Sequence, residues 1–498
     1  MEYQTRATWR NVAGNQRGEP LRIYRPSAVT EVQAIVRLAE QEAVTVRAVG
    51  SHHAWSDAAL TTGFLIETNR LARPLELEPA LLAVPYLEQV KARGRTLVRT
   101  EAGIRLRELN EWLDGQGLAL SNMGGYDEQT VAGVMATSTH GSGLEFGPIS
   151  SFAHSVEVIG ANGRWYRIER ADGPTDPDRY RSTYPDRILV KDDDWFLSTI
   201  VSVGCFGVVV AVMLEVEPAY WLKEVRTLST WREVREALRR RDVLRDNRHY
   251  EVYLNPHPTS DGDHRCVITT RNRVPKPGDV PRDKLERNLI VEIAAALPIV
   301  PKILNRLFDW RPKITPALLD RGLEALVDEY TNKSYKVLNI GAANLLPAYS
   351  SEIGVPVDDR NLHLAAVDRI IEVAAQRQRL GEVYHTSPLS LRFVRESPAF
   401  LSMMYGVDTM MIELILLEDT EGGFELLDTY ENALYPLGGR PHWGQYNTFN
   451  GGGRAMRSRY PAYDRWQAVH QVLNSTRVFD SPFSKRVGIN SYEMKGPA

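Results

Sequence analysis

This 498-residue sequence has little cysteine, no large excess of positive or negative charge, and no long apolar run. The two cysteines, Cys205 and Cys266, are too few for a disulfide framework or a cysteine-based metal site. A net charge of −3 gives no bulk attraction to nucleic acid or to an anionic membrane. No stretch of about 18 uninterrupted apolar residues occurs, and the N-terminus lacks a signal-peptide pattern. We therefore expect a cytoplasmic protein with no membrane insertion, no nucleic-acid partner and no metal.

The length and the patterning of the chain indicate an α+β protein with more than one domain. A chain of 498 residues is too long for a single hydrophobic core. Glycine-rich loops fill the first part, and the composition shifts near residue 218 to segments rich in Arg, Asp and Pro. Apolar periodicity predicts helices over 28–42, 106–116, 285–307, 318–328, 364–379 and 463–473, a helix passing into a strand over 200–216, and strands over 44–49, 64–68, 84–86, 96–99, 155–159, 250–254, 389–394 and 410–417.

The stretch 46–57 is the first feature that points to a binding function. Its strand ends in a turn at Gly50 and Ser51, which is followed by His52 and His53. A turn of this kind exposes several backbone N–H groups close together, and such groups hold phosphate. Turns with the same residues are also common as purely structural elements. The interpretation therefore depends on a second motif, at 129–143, which reads Gln-Thr-Val-Ala-Gly-Val-Met-Ala-Thr-Ser-Thr-His-Gly-Ser-Gly.

The two motifs, in this order, resemble the FAD-binding domain of the vanillyl-alcohol-oxidase superfamily, in its aldonolactone oxidase and alditol oxidase branch. The family pattern V-G-x-G-H-S-x-S-D is matched by residues 49–57. The pattern T-V-A-G-x-x-A-T-G-T-H-G-S-G is matched by 130–143, with Ser138 in place of one glycine. A Gly-x-x-Gly-Val segment at 204–208 and the sequence Pro-His-Trp at 441–443 extend the resemblance over nearly the whole chain.

The resemblance implies an FAD-binding domain of two subdomains (PCMH type) over 1–218, an α+β substrate cap over 219–434, and a segment over 435–498 that returns to the first domain. It also implies covalent attachment of the flavin through a histidine. Ser56 and Asp57 set the register, which selects His53 rather than His52, the latter standing where many members have glycine. Gly124 falls at the position that controls oxygen access in the family, which favours an oxidase.

A flavin pyrophosphate needs backbone and hydroxyl donors and little steric bulk. His140 is expected to serve its loop structurally rather than to take part in catalysis. The residues that the resemblance assigns to the cofactor are Val49, Gly50, Ser51, His52, His53, Ala54, Ser56, Gly124, Gly125, Thr130, Gly133, Thr137, Ser138, His140, Gly141, Ser142, Gly143, Gly207, Val208 and Val209.

The substrate side departs from the family pattern. Members carry E-x-R-F on a cap strand, but here Ser390 replaces the glutamate while Arg392 is kept. Arg392 can orient a substrate oxygen or stabilise negative charge, or it can be part of a cap ion pair. Glu413 lies in an apolar run, so it is either functional or buried as a pair with Arg392. The alternating strand with His249, Glu251 and Tyr253 is a weaker candidate.

The C-terminal motif departs as well. Members often continue P-H-W-x-K, and here Gln445 replaces the lysine near the flavin's pyrimidine edge. A neutral amide can donate a hydrogen bond there, but it cannot supply the positive charge. His442 could act as a base or could only position its loop.

The expected function is an FAD-dependent oxidase of an alcohol, by resemblance a polyol or a sugar lactone. A base takes the hydroxyl proton, hydride passes to flavin N5, and O2 is reduced to H2O2. Three alternatives stay open: a tailoring oxidoreductase for a less polar metabolite, a flavin-binding protein that has lost turnover, and a structural protein without flavin. Molecular oxygen and a small-molecule alcohol are the expected partners.

Overall fold

The first sheet carries the N-terminal glycine turn at the end of an edge strand. The computed structural model describes residues 2–279, 311–340, 348–381 and 383–490. The helix Val29–Gln41 packs on this sheet through its apolar face, because its buried residues recur at helical spacing. Phe64–Glu67 pairs in parallel with both of its neighbours. In the described chain the strand order is Tyr3–Thr5, Arg22–Tyr24, Phe64–Glu67 and Val46–Val49.

The second sheet is mainly antiparallel and completes the first domain. The predicted boundary at 218 falls between its strand Val208–Pro218 and the next strand of the chain, which belongs to a different sheet. Its strand order in the described residues is Ile188–Lys191, Trp165–Glu169, Ala153–Ile159, Val208–Pro218, Thr96–Glu101 and Pro74–Leu75, with Leu118–Ala119 also paired to Val208–Pro218. The remaining helices of the first domain are Val84–Ala92, Leu106–Gly115, Val131–Ala136, Pro177–Thr183 and Asp193–Thr199, and a small ribbon pairs Trp9–Arg10 with Arg17–Gly18.

The third sheet, which we call the cap sheet, has one apolar and one polar face. In the described residues its strand order is Glu329–Lys333, Trp221–Thr230, Arg265–Val274, His249–Leu254, Leu389–Val394, Thr409–Leu417, Ala348–Pro356 and Arg440–Pro441. The apolar face packs against the helices Trp231–Arg240, Leu362–Arg379 and Gly423–Leu434. The cap also contains the helices Asp242–Asp246, Thr315–Ala325 and Ser334–Leu338.

The polar face of the cap sheet is buried against the first domain. Because side chains alternate along each strand, the register places one set of polar residues on a single face. This set consists of Glu224, Arg226, His249, Glu251, Tyr253, Thr269, Arg271, Glu352, Ser390, Arg392 and Glu413.

The C-terminal segment contacts both parts of the molecule. Arg440–Pro441 forms the edge strand of the cap sheet. Beyond it, the backbone N–H of Val46 in the first sheet donates to the carbonyl of Val478 (2.7 Å). Trp466 lies against Phe206 of the first domain, with ring centroids 4.6 Å apart. The helices of this segment are Gly452–Arg459, Tyr463–Leu473 and Pro482–Val487.

Most predicted elements occur within one or two residues of their predicted bounds, and two are corrected. Residues 84–86 form the first turn of the helix Val84–Ala92 rather than a strand, because Pro85 has the backbone angle of a helix start. No helix runs from residue 200 into the strand, since the helix Asp193–Thr199 ends before it. The helix predicted over 285–307 lies outside the described residues. None of the described helices combines the length and apolar character that crossing a membrane requires.

Candidate functional site

A cavity lies between the glycine loops of the first domain and the polar face of the cap sheet. Fourteen of the residues assigned to the cofactor and four of the five assigned to catalysis line it. They are Val49, Gly50, Ser51, His52, His53, Ala54, Gly124, Gly125, Thr130, Gly133, Thr137, His140, Gly207, Val209, Arg392, Glu413, His442 and Gln445.

The two glycine motifs touch each other at the cavity wall. A Cβ atom on Gly50 would lie 2.0 Å from Thr130 Oγ1. Thr130 is the N-cap of the helix Val131–Ala136, and its hydroxyl accepts a hydrogen bond from the N–H of Gly133 (3.3 Å). Glycine at position 50 is therefore required for the first turn to approach the start of this helix.

The two adjacent histidines have different surroundings. His52 lies in the left-handed region (φ 62°), which favours glycine. Its Nε2 is 3.5 Å from Glu67 Oε1, and its ring lies 5.5 Å from that of Trp9. The rings of His53 and Tyr126 form a T-shaped pair, with centroids 4.9 Å apart. Burial, helped by the Arg105 charge, lowers the pKa of His53 to about 4, so its imidazole is neutral near pH 7.

Six of the residues assigned to the cofactor do not line the cavity: Ser56, Ser138, Gly141, Ser142, Gly143 and Val208. Two of these serines bond to other parts of the fold. The Ser56 hydroxyl donates to the carbonyl of Trp443 (2.7 Å), and that of Ser142 donates to Glu251 (2.9 Å). Both hold the loops against neighbouring segments.

The other four also contact other parts of the fold. Ser138 Oγ lies 2.8 Å from Ser402 Oγ, and the Gly143 N–H donates to the carbonyl of Phe393. A Cβ on Gly141 would meet a backbone oxygen at 2.3 Å, so glycine serves close packing there. Val208 is buried in the core of the first sheet.

On the cap side, Arg392 reaches the glycine loops. Its Nη2 lies 3.3 Å from the position of a Cβ on Gly125. The carboxylate paired with Arg392 is that of Glu251, whose Oε1 lies 3.9 Å from Arg392 Nε, rather than that of Glu413, which the sequence left as one of two possibilities. Glu251 is also bound to Arg271 (2.7 Å), and these two arginines keep its pKa well below the ordinary value despite burial. The weaker candidate strand therefore supplies the acidic partner of Arg392.

Ser390 is buried but does not line the cavity. In the cap sheet it lies directly between Tyr253 and Glu413, whose larger side chains do line it. A serine is too short to extend past these neighbours. Its position does not support a direct contact with a substrate, and the assignment of Ser390 to catalysis stays a prediction.

Glu352 is a cavity residue that was not predicted from the sequence. It lies opposite Glu413 in the sheet and lines the same cavity. Its Oε1 is 3.3 Å from His140 Nε2, so His140 faces the cap rather than serving only its loop. Glu352 shares one sequence signal with Glu413, since each is a single carboxylate inside a strand that is otherwise uncharged.

The two carboxylates differ in their protonation. Burial raises the pKa of Glu413 to about 7; Arg392 opposes this rise and the neighbouring Glu352 charge adds to it. Burial also acts to raise the pKa of Glu352, but His140, His442 and Arg392 hold it at about 2. Glu352 is therefore ionised near pH 7, whereas Glu413 exchanges a proton there.

The His442 loop joins the two halves of the cavity. The backbone N–H of His442 donates to the Glu352 carbonyl, and the N–H of Trp55 donates to the Gly444 carbonyl (both 2.8 Å). The Gly444 N–H in turn donates to His442 Nδ1 (3.1 Å). Nδ1 is thus an acceptor, and the proton of the neutral ring is on Nε2. Burial lowers the pKa of His442 to about 4, so this neutral form is present near pH 7.

His140, Glu352 and His442 each offer a ligand atom, and these atoms lie within 4.8 Å of one another. Such a spacing could suit a metal ion. However, a neutral His442 with its proton on Nε2 has no free lone pair there. We therefore assign these residues to a buried polar cluster rather than to a metal centre.

Arg47 is a further cavity residue that was not predicted from the sequence. It lies within the first motif, and its guanidinium donates to the carbonyls of Ala58 (Nε, 2.7 Å), Val203 and Gly204 (both 2.8 Å). It thereby fixes two loops at the cavity wall. A single arginine inside an apolar strand was the available signal.

Comparison with known protein families identifies the class of the protein. The model of the FAD binding domain family matches residues 20–169, the region that holds both glycine motifs, so the chain carries an FAD-binding domain. Two features of the cavity fit a bound FAD. Its wall has glycines where backbone donors are needed, and the buried Gln445 Oε1 and Arg392 Nε make no hydrogen bond with the described residues.

The chain belongs to the D-arabinono-1,4-lactone oxidase family, whose model matches residues 212–487, more than half of its length. It is 27% identical over 488 residues to L-gulono-1,4-lactone dehydrogenase of Mycobacterium tuberculosis, covering 96% of this chain and 98% of the relative. It is 24% identical over 476 residues to L-gulonolactone oxidase of Bos taurus, covering 94% and 95%. A solvent-stable cholesterol oxidase has the same fold, with a TM-score of 0.77, 16% identity and 98% of each chain covered. The predicted family and fold class are confirmed.

Proposed function

We propose that this protein is an FAD-dependent oxidase of an alcohol group in a sugar lactone or polyol. One observation carries the proposal: Arg392, Glu413 and His442 line the same cavity as the glycine loops of the FAD-binding domain. Lactone oxidases and dehydrogenases among the relatives support the substrate class.

Each residue has a role that its surroundings support. Glu413 acts as the base that takes the substrate's hydroxyl proton, because a carboxylate with a pKa of about 7 accepts a proton well at neutral pH. Arg392 stabilises the negative charge that develops on the substrate oxygen. His442 donates a hydrogen bond from Nε2 and is not the base, since its Nδ1 is already bonded. Bound FAD would accept the hydride from the substrate carbon.

The test is anaerobic reduction of the purified yellow protein by a panel of alditols, aldonolactones and sterol-like alcohols. We expect bleaching of the flavin absorbance by a lactone or an alditol, and on admission of O2 one H2O2 for each carbonyl formed. Bleaching by sterol-like alcohols alone would favour the alternative of a less polar substrate. Flavin that no alcohol reduces would contradict the proposal and favour a flavin-binding protein without turnover.

We further propose that His53 carries the flavin covalently. Its neutral imidazole supports this, because attachment requires an unprotonated ring nitrogen. His52 is engaged with Glu67 and Trp9 instead. Flavin should stay with the acid-precipitated wild-type protein and be released from His53→Ala. Release from the wild type would contradict covalent attachment but not FAD binding.

Oxygen as the acceptor is supported by Gly124. A Cβ there would meet the His140 carbonyl at 3.4 Å and a Thr139 methyl at 3.5 Å, so alanine fits without displacing the loop. Gly124→Ala should therefore slow O2 consumption several-fold while anaerobic bleaching stays near the wild-type rate. Equal O2 consumption by both proteins, or a wild type that needs another electron acceptor, would contradict the assignment of Gly124 or of O2.

A further inference from the structure

Two buried carboxylates stand side by side at the substrate end of the cavity. Glu352 and Glu413 are directly opposite each other on neighbouring antiparallel strands, so both point from the same face. Side chains in such a pair have their Cβ atoms about 4.5–5.5 Å apart. Two ionised carboxylates this close, out of water, repel strongly, and therefore one of them must be neutralised.

The hydrogen bonds of His140 decide how Glu352 is neutralised. His140 Nδ1 lies 2.9 Å from the carbonyl oxygen of Gly141, which can only accept, so Nδ1 carries a proton. The other nitrogen, Nε2, is 3.3 Å from Glu352 Oε1. If neither group held a further proton, two lone pairs would face each other. A proton between them makes the pair an imidazolium beside a carboxylate.

The charges around Glu413 leave it without a matching cation of its own. The groups around Glu413 are Arg392 and Ser390 on the same face of one neighbouring strand, Glu352 on the other, Glu251 and Tyr253 one strand further away, and His140, His442 and Gln445 from the loops. Arg392 is paired with Glu251 and His140 with Glu352. Of the two adjacent carboxylates, Glu413 is thus the one that can take up a proton.

We propose that Glu352 is a positioning residue, which through its ion pair with His140 fixes Glu413 as the carboxylate that exchanges a proton with the substrate. Glu352 also holds the His442 loop through its backbone carbonyl. This inference rests on the proposed function, in which Glu413 is the base. The like charge of Glu352 raises the pKa of Glu413 more than the His140 charge lowers it.

The test is the pH dependence of the anaerobic flavin reduction rate, measured with a reducing substrate at saturation. In the wild type we expect the rate to rise with pH, to be half-maximal near pH 7 and to level off above it, as Glu413 ionises. Glu352→Gln removes the neighbouring negative charge, so the profile should move to lower pH by about one unit. Glu352→Asp keeps the charge and should restore the wild-type profile.

His140→Gln removes the other half of the ion pair and should act in the opposite direction. Glu352 and Glu413 then share one proton, and the profile should move to higher pH. A merely structural pair would give equal losses of rate without opposite shifts. If Glu352→Gln does not fold, this variant still tests the proposal.

A second readout does not depend on turnover. The infrared band of protonated carboxyl groups, followed from acid to alkaline pH, should lose intensity near pH 7 in the wild type and at lower pH in Glu352→Gln. Glu413→Gln should abolish that change. Unshifted profiles and infrared titrations in both Glu352→Gln and His140→Gln would overturn the role of Glu352. An unchanged rate profile in Glu413→Gln would instead overturn the base assignment in the proposed function.

Discussion

The two walls of the cavity are built in different ways. The wall formed by the first domain consists of contiguous loops, in which Gly50 and Thr130 bring two motifs into contact. The cap wall takes single residues from separate strands, among them Glu251, Glu352 and Arg392. Backbone donors need a continuous turn of small residues, so they leave a motif in the sequence. The cap wall needs only single side chains that lie on the correct face of separate strands. Such residues are far apart in the sequence and do not form a continuous motif.

The largest effect is expected in the first-domain wall, where the two glycine motifs touch. In Gly50→Ala the new Cβ would lie 2.0 Å from Thr130 Oγ1, so the two loops must separate. We expect the purified protein to lose most of its FAD and to be destabilised by about 1–3 kcal/mol, as overpacked sites are. Flavin absorbance per protein and chemical denaturation measure both effects.

Gly115→Ala is the matched control, because a Cβ at Gly115 meets nothing within 4 Å. It should retain FAD and full stability. If Gly50→Ala also keeps its FAD, the close contact of the two motifs is not what holds the cofactor.

The second largest effect is expected from a substitution in the cap wall that leaves FAD bound. Arg392→Ala should lower the rate of anaerobic flavin reduction by about 10²–10³-fold, as the loss of one charge-stabilising donor typically does. The fold should survive, because Glu251 keeps its bond to Arg271. Stopped-flow absorbance gives the rate, and Arg369→Ala on an exposed helix face is the control. A rate within a few-fold of wild type would remove Arg392 from the site.

The third effect concerns the stability of the cap wall. The folded-state pKa of Glu413 is about 7, above the ordinary value of about 4.3. The folded protein therefore binds more protons than the unfolded chain between these values, and its stability falls as pH rises through that window. Glu413→Gln removes this loss. Its stability relative to wild type should rise by roughly 3 kcal/mol between about pH 4 and about pH 8.

Denaturant unfolding of the two proteins at matched pH values measures this difference. A constant difference across the window would show that Glu413 has an ordinary pKa in the folded protein. In that case the cap wall would hold two ionised carboxylates, and the contrast between Glu352 and Glu413 would disappear.

The smallest effect is expected at Ser390, in the cap sheet. Ser390 stands in the family's glutamate position but does not line the cavity. Ser390→Ala should change the anaerobic reduction rate by no more than about twofold, since a hydroxyl that does not contact the substrate contributes little to transition-state binding. The same stopped-flow assay as for Arg392→Ala applies. A loss beyond tenfold would return Ser390 to the catalytic residues.

Local patterns predicted most of the described fold. The helix Val29–Gln41 follows from apolar spacing, because one of its faces is buried. The strand Leu389–Val394 follows from the alternation of its apolar residues, which pack on one face of the cap sheet. The strand expected at 84–86 failed, because Pro85 starts a helix as readily as it interrupts a strand. The pairing order of the cap sheet could not be predicted, since strands distant in the chain become neighbours only through tertiary packing.

The sequence indicated the cofactor class through the resemblance of its two glycine motifs to a flavoprotein family. Such motifs can be recognised because small residues in a continuous turn are required wherever backbone must approach a phosphate. The sequence also kept Arg392 and Glu413 as candidates. Tertiary structure alone decided their partners: Glu251 pairs with Arg392, and Glu352 with His140 stands beside Glu413. The reason is that protonation of a buried group depends on burial and on charges within a few ångströms, which strand register sets and sequence distance does not.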